Sequence, residues 1–495
     1  MLERDGGVSE VCAAREGRST GPAPAGGQVS VTRRSPYVRT LSGAAAFLLL
    51  AGAVARAETL DGALARAYGV NPGLNAQRAS VRATDENVPR AQSLGRPRVT
   101  ATADIGIQYI DATTIASGTG RSVSTSGPSY PRGAGIQIDQ TLFNGNRTEN
   151  TTRQAESQVL GARETLRNTE QSVLFNAALS YMNVLRDTAI LSLQRNNVEV
   201  LEEQLRQTRD RFNVGEVTRT DVAQAESRLA AARSQASLAE ANLRTSIAQF
   251  RQNVGVEPRQ LAPGRPIDRL VPRSLEASLQ IGLREHPAII AALHGVDAAE
   301  LQVKITEAEL YPTVGITGAT TQRFDSTTLG QSTLSASLVG RVTIPLYEGG
   351  EVYARTRQSK ETAGQRRIEA ESTRDQVRAA VITAWGQLEA AKAQITASQA
   401  QVQAAEIALN GVREEARVGQ RTALDVLNAQ QELLNARVNL IIAQRDRVVG
   451  SYSVVQAIGR LSSRVLNLAV AHYNARTHFD QVKDLWGGLR TPDGR

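Results

Sequence analysis

Val214-Gly215-Glu216-Val217-Thr218-Arg219-Thr220-Asp221-Val222 and Val418-Gly419-Gln420-Arg421-Thr422-Ala423-Leu424-Asp425-Val426 are one motif written twice. In each copy a glycine interrupts a helical pattern, and Thr-x-x-Asp has the form of a capping box that restarts it. The copies are offset by 204 in numbering (418 − 214), and the same offset relates Leu142-Phe143-Asn144-Gly145 to Leu346-Tyr347-Glu348-Gly349. Upstream, Thr59-Leu60-Asp61, Asn71-Pro72 and Arg96-Pro97 recur as Ser274-Leu275-Glu276, His286-Pro287 and Tyr311-Pro312, here at an offset of 215 (287 − 72). The chain therefore contains itself twice, and the change of offset is confined between Pro97 and Thr141. A long internal repeat decides the architecture before any single motif does.

Around the motif the apolar period is helical. Val222, Ala225, Leu229, Ala232, Ala236, Ala239 and Leu243 step alternately by three and four, and Val426, Ala429, Leu433, Ala436, Leu440 and Ala443 repeat the seam. No proline occurs between Arg132 and Glu257 or between Leu346 and Thr491, so each copy ends in a long tract free of the strongest helix breaker. A helix over Asn146 to Phe212 would reach about 100 Å at 1.5 Å per residue. It must fold back at Asn213 to Val217, and its twin at Arg417 to Arg421.

Between the prolines and the helical tracts the period changes to two. Val99 to Tyr109 and Leu334 to Leu346 alternate apolar with polar residues and read as strands, with shorter partners at Ala134 to Leu142 and Val314 to Thr320. Asp111 to Arg132 and Gln322 to Ser332, rich in Gly, Ser and Thr, read as exposed hairpin loops. The first loop is the longer, which accounts for the change of offset. Strands of this length with one apolar face fit an outer membrane, yet four strands cannot close a barrel, so several chains must share one.

Arg33, Arg34 and Arg39 precede an apolar run from Ala44 to Val54, and Ala55-Arg56-Ala57 supplies a small-residue cleavage site, so residues 1–57 read as an over-extended start followed by a secretory signal. The only cysteine, Cys12, lies before the cut, which excludes disulfides and thiol chemistry from the mature chain. Without residues 1–57 the net charge falls from +8 to +5 (8 − 7 Arg + 4 acidic), too weak and too dispersed a basic bias for nucleic acid. The four histidines form no metal spacing, no catalytic set or phosphate loop is present, and neither an enzyme nor a cofactor is expected.

These duplicated signatures resemble those of the TolC-type outer-membrane efflux and secretion ducts, from about Glu58 to Arg464. The resemblance implies a mainly α chain with a membrane β-barrel: two tandem repeats of long helical hairpins and four strands per chain, a homotrimer closing a 12-stranded barrel in outer-membrane lipid, and an α-helical tunnel across the periplasm. The divisions expected are repeat 1 at 58–257, a linker at 258–273, repeat 2 at 274–464 and an equatorial tail at 465–495, with an equatorial belt built from Glu257 to Arg273 and the chain beyond Leu461. It implies export of drugs or proteins, through a periplasmic adaptor (membrane fusion) protein and an inner-membrane RND or ABC transporter. It assigns a periplasmic gate to Asp221, Arg421, Asp425 and Asn428, and an adaptor-docking tip to Val214, Gly215, Val418 and Gly419. Two departures stand out: the family's aromatic latch partner maps onto Ala416, and a second gate aspartate onto Asn428, leaving one carboxylate tier at Asp425. The competing reading is a periplasmic coiled-coil adaptor or scaffold, which would share the hairpins and the signal but not the paired amphipathic strands.

Overall fold

A computed structural model describes residues 58–494, apart from 116, 117, 119 and 327–329. The expected secretory signal lies outside the described residues.

The elements run α1 (Leu60–Val70), α2 (Pro72–Asp85), α3 (Asn87–Gln92), β1 (Arg98–Ile105), β2 (Gln108–Ile115), β3 (Ser122–Ser129), β4 (Arg132–Asn144), α4 (Arg147–Asn213) and α5 (Arg219–Val254). The second half follows as α6 (Leu275–Glu285), α7 (Pro287–Glu307), β5 (Thr313–Phe324), β6 (Ser332–Thr343), α8 (Glu351–Arg417), α9 (Ala423–Ala457) and α10 (Ala475–Val482). Most of the duplicated motifs are helix punctuation. Thr59 and Ser274 cap α1 and α6 with their hydroxyls, while Asn71 and His286 cap α2 and α7 just ahead of a proline at the first helical position. The two long helices α4 and α8 are both 67 residues, about 100 Å at 1.5 Å per residue.

Each long helix pairs with a shorter one, α4 with α5 and α8 with α9, and the two hairpins meet through α4 and α9. On its other half α4 packs against α2 and α7, and α7 also packs against α8. The hairpin seams are the heptad positions: Leu205, Ala225 and Leu229 in one, Leu409, Val426 and Leu433 in the other. Small alanines let the helices approach closely, which explains how so few aromatics suffice. One bulky core interrupts this pattern near the midpoint of α4, where Leu64, Leu174, Phe250, Tyr452 and Leu461 surround Tyr181. The buried Tyr181 hydroxyl lies 2.7 and 2.6 Å from the Glu58 and Ala262 carbonyls, which share its one proton. Leu261, Ile267, Leu270 and Val271 join this core from one side and Leu466, Leu468 and Val470 from the other.

The sheet order is β1-β4-β5-β6, all antiparallel. Its register turns sequence alternation into two faces. Val99, Ile138, Gly318 and Leu338 form one continuous row and Arg98, Asp139, Thr317 and Val339 the next. On the polar side Thr317 donates to Asp139 at 2.9 Å, and the Thr321 and Ser335 hydroxyls lie 2.7 Å apart.

The strands differ from the expected ones in four respects. The first strand stops at Ile105 instead of continuing to Tyr109, because Pro131 opposite it has no N–H to continue the ladder. Pairing resumes beyond that break as β2–β3, so most of the expected loop at Asp111 to Arg132 is itself a strand hairpin. The middle strands are longer than expected at 13 and 12 residues, whereas β6 ends before Leu346, two residues ahead of Pro345.

Candidate functional site

The two hairpin turns share one geometry. Gly215 has φ 80° and Gly419 φ 78°, the left-handed conformation that closes a helix. At the first turn Gly215 N–H donates to Phe212 O at 3.0 Å and Glu216 N–H to Arg211 O at 2.9 Å; at the second, Gly419 and Gln420 donate to Ala416 and Glu415 at 3.2 and 2.9 Å. These are paired Schellman closures. Apart from each glycine and its two neighbours in the chain, no heavy atom of the described residues approaches within 4 Å of a Cβ built there, and the adjacent Val214 and Val418 are 75% and 71% exposed. An apolar side chain beside an open glycine surface is presented outward at both turns.

The chain re-enters helix through two complete capping boxes. Thr218 N–H and Oγ1 donate to Asp221 Oδ2 at 2.8 and 2.7 Å while Asp221 N–H donates back to Thr218 Oγ1 at 3.3 Å. The second box repeats the first: Thr422 N–H and Oγ1 donate to Asp425 Oδ2 at 3.0 and 2.9 Å, and Asp425 N–H returns to Thr422 Oγ1 at 3.3 Å. The Thr218 hydroxyl and backbone hold the Asp221 carboxyl below its usual range, and the Thr422 backbone and hydroxyl, with Arg421 contributing, do the same for Asp425. Both aspartates are anionic at neutral pH.

The four residues assigned to the gate are not gathered on one another within the chain. Arg421 Nε donates to Glu415 Oε2 at 2.8 Å, and that carboxylate pushes the guanidinium further towards its charged form. Asn428 Oδ1 accepts from Arg228 Nη2 at 2.8 Å, which joins α5 to α9. Ala416 packs beside the Leu409–Val426–Leu433 seam, so its small side chain is absorbed by the hairpin interior. Glu415 and Arg228 were not singled out by the sequence reading. Their signal was faint: Glu415 occupies the position that Arg211 holds in the first copy (415 − 204), where Arg211 pairs instead with Glu216 at 3.0 Å.

Between the two turns lies a cleft of about 930 Å³, lined in part by Gln207, Asp210, Asp221, Arg413, Arg417 and Arg421. Farther along each hairpin an ion pair joins its two helices, Arg233 to Glu202 and its repeat equivalent Arg437 to Glu406, both at 2.7 Å. The site is a charged gap between two helical hairpins. Among the described residues no cluster of His, Cys, Asp and Glu could hold a metal ion.

Comparison with known proteins gives this geometry a family. The chain is 43% identical over 458 residues to the outer membrane efflux protein BepC of Brucella suis biovar 1 (strain 1330), covering 91% of this chain and 97% of that one. It is 26% identical to the outer membrane protein TolC of Escherichia coli (strain K12), over 83% of this chain and 84% of the relative. The fold matches the crystal structure of the Campylobacter jejuni CmeC outer membrane channel with a TM-score of 0.70 at 16% identity, over 86% of this chain and 89% of that one. The model of the outer membrane efflux protein family matches residues 63–256 and 279–460, one block in each repeat, and the chain belongs to that family.

Proposed function

We propose that three copies of this chain assemble into a continuous exit duct, a 12-stranded barrel above an α-helical tunnel, through which an inner-membrane RND or ABC transporter and its periplasmic adaptor expel drugs or secreted proteins. The observation that carries the assembly is the four-stranded sheet itself. Among the described residues its outer strands β1 and β6 each have one unpaired edge, and such edges cannot rest in hydrocarbon. Three sheets placed edge to edge satisfy every strand. A second observation agrees: Ile368, Ile382 and Ile407 on α8 are 72%, 46% and 74% exposed. Their steps in numbering, 382 − 368 and 407 − 382, are both close to whole numbers of helical turns. The three point to a similar side of α8 as isolated apolar contacts for a neighbouring subunit, with the exposed Asp375 and Glu389 interspersed on that side.

Within this duct the turns point into the periplasm. Val214, Gly215, Val418 and Gly419 form the adaptor-docking tip, where open glycine surface and outward valines let a partner hairpin approach closely. Asp221, Arg421, Asp425 and Asn428 act as the gate. Their carboxylates stay charged at neutral pH, and in a threefold assembly Asp425 contributes one ring of negative charge. The energy for transport comes from the partner. A periplasmic adaptor would need the hairpins alone and has no use for a sheet with an apolar and a polar face. Native mass spectrometry of the mature protein in mild detergent tests the assembly: three chains are expected, and a stable monomer with a closed barrel would overturn it. Crosslinking at the tip followed by identification of the captured adaptor and transporter tests the partners.

A further inference from the structure

The last residues of the chain return to the foot of the barrel. Beyond α10 the segment Leu485-Trp486-Gly487-Gly488-Leu489-Arg490 runs beside Arg96, which lies two residues ahead of β1. Arg96 Nη1 donates to the Leu485 carbonyl at 2.7 Å, and its guanidinium carbon sits 4.6 Å from the centre of the Trp486 ring. Gln92 holds the other side of the guanidinium through Nη2 at 3.0 Å. Further on, Asp493 pairs with Arg82 of α2 at 3.7 Å, so the tail is pinned on both sides of the tryptophan. The seat is at the junction of barrel and tunnel. The Gly95 carbonyl accepts from Gln140 of β4 at 2.9 Å, and a Cβ on Gly95 would come within 3.2 Å of Thr148 in the first turn of α4.

So much anchoring leaves the apolar groups outside. Trp486 is 72% exposed, Leu489 fully so and Leu485 about half, with Leu94 also half exposed nearby in sequence to the seat. The chain has two tryptophans, and the other, Trp385, packs against the buried Leu388 and Val454 cluster. Exposed aromatics also mark the same ends of the membrane strands: Phe143 beside the last residue of β4, Tyr311 before β5 and Tyr347 after β6. Aromatic side chains gather at the headgroup level of membrane barrels because their bodies are apolar and their edges polar. Arg490, next to Leu489, adds a cation suited to a phosphate headgroup, while Lys483 is paired with Asp480.

We infer that Leu485 to Leu489 is an interfacial anchor, which inserts Trp486 and Leu489 among the phospholipids of the periplasmic leaflet of the outer membrane and completes the aromatic girdle at the foot of β1. Continuity selects the lipid as occupant: Val99, 64% exposed, opens the apolar face of β1 three residues after Arg96. The inference rests on the proposed assembly of the barrel in the outer membrane, and on no adaptor or transporter.

The test uses the full mature chain in vesicles of phosphatidylethanolamine and phosphatidylglycerol. With Trp385→Phe as background, Trp486 is the only tryptophan, and bromines placed high on the acyl chains should remove most of its emission, whereas bromines near the bilayer centre or acrylamide in the water should remove little. Should Trp385→Phe fail to fold, Trp486→Cys in the mature chain, labelled with a nitroxide, reports the same depth through collisions with oxygen against a water-soluble nickel chelate. Leu338→Cys on the apolar face of β6 serves as the control for barrel insertion. A lipid-exposed label at 338 with a water-exposed one at 486 overturns the anchor while leaving the barrel reading intact. A position 486 shielded from both lipid and water would instead identify a contact with a neighbouring subunit, and that also overturns it.

Discussion

Arg228, on the first hairpin, donates from Nη2 to Asn428 Oδ1 on the second across 2.8 Å. The bond links α5, two turns past Asp221, to α9, one turn past Asp425, and bridges residues 200 apart in sequence. An asparagine that looked like a missing carboxylate tier is thus an acceptor that ties the two rods together. We predict that Asn428→Leu loosens the tip and raises single-channel conductance in planar bilayers. Asn428→Asp, which makes the acceptor anionic, should lower it, because a charged acceptor binds a guanidinium more strongly than a neutral one. Equal conductance in all three proteins would remove this bond from the gate.

Arg421 and Glu415 form a further ion pair at the second turn. Arg421→Ala removes the guanidinium from both Glu415 and the field around Asp425. The expected result is a higher conductance with stronger cation selectivity. Glu415→Gln keeps the cation and frees it to seek Asp425, so its conductance should stay at or below that of the unaltered protein. If both variants rise together, Arg421 acts by holding Glu415 and not by facing the pore.

Gly215 and Gly419 have positive φ and open space around them. Replacing either with valine costs about 1–2 kcal/mol of backbone strain, small for an assembly built on helices of this length. The double variant Gly215→Val with Gly419→Val should therefore assemble and reach the outer membrane in normal amount while failing in efflux. Full drug resistance in cells carrying it would reduce the turns to helix punctuation.

The Tyr181 hydroxyl is clamped between two backbone carbonyls in the core. Burial pushes its pKa up to about 12, so it remains a donor throughout the physiological range. Tyr181→Phe removes the one proton those carbonyls share; the Glu58 carbonyl keeps the Ala262 N–H at 3.0 Å, so the loss is about 1–3 kcal/mol where the Ala262 carbonyl stays dry. Heat or urea should dissociate the variant earlier, with conductance unchanged. A variant as stable as the parent would mean that water replaces the hydroxyl.

Acid should act on the caps with a definite sign. Asp221 and Asp425 have folded pKa values below their unfolded ones, so the stabilisation they give is complete above about pH 3.9 and is lost as pH falls through the lower folded value. Hydrogen exchange at the amides following both turns, corrected for intrinsic rates, should be flat from about pH 5 to 8 and rise only in stronger acid. Fraying near neutral pH would require another titrating group.

Much of this molecule is readable without coordinates because its signals are local. A glycine that closes a helix, a threonine that caps the next one and the aspartate that reciprocates all lie within one short stretch of chain, and the heptad and alternating periods report each helix seam and strand face directly. The repeat then multiplied every weak signal by two. Long-range pairing was not readable. Pro131 breaks the ladder opposite the end of β1, so a stretch rich in Gly, Ser and Thr became the β2–β3 hairpin instead of a loop. Arg421 chose Glu415 over an aspartate, and Arg228 found Asn428, because long flexible side chains on neighbouring helices have several partners within reach and only packing selects among them. The tail behaves likewise: nothing near Trp486 in sequence announces Arg96, which lies 389 residues before Leu485 and meets it only once the helices have brought the chain back to the barrel.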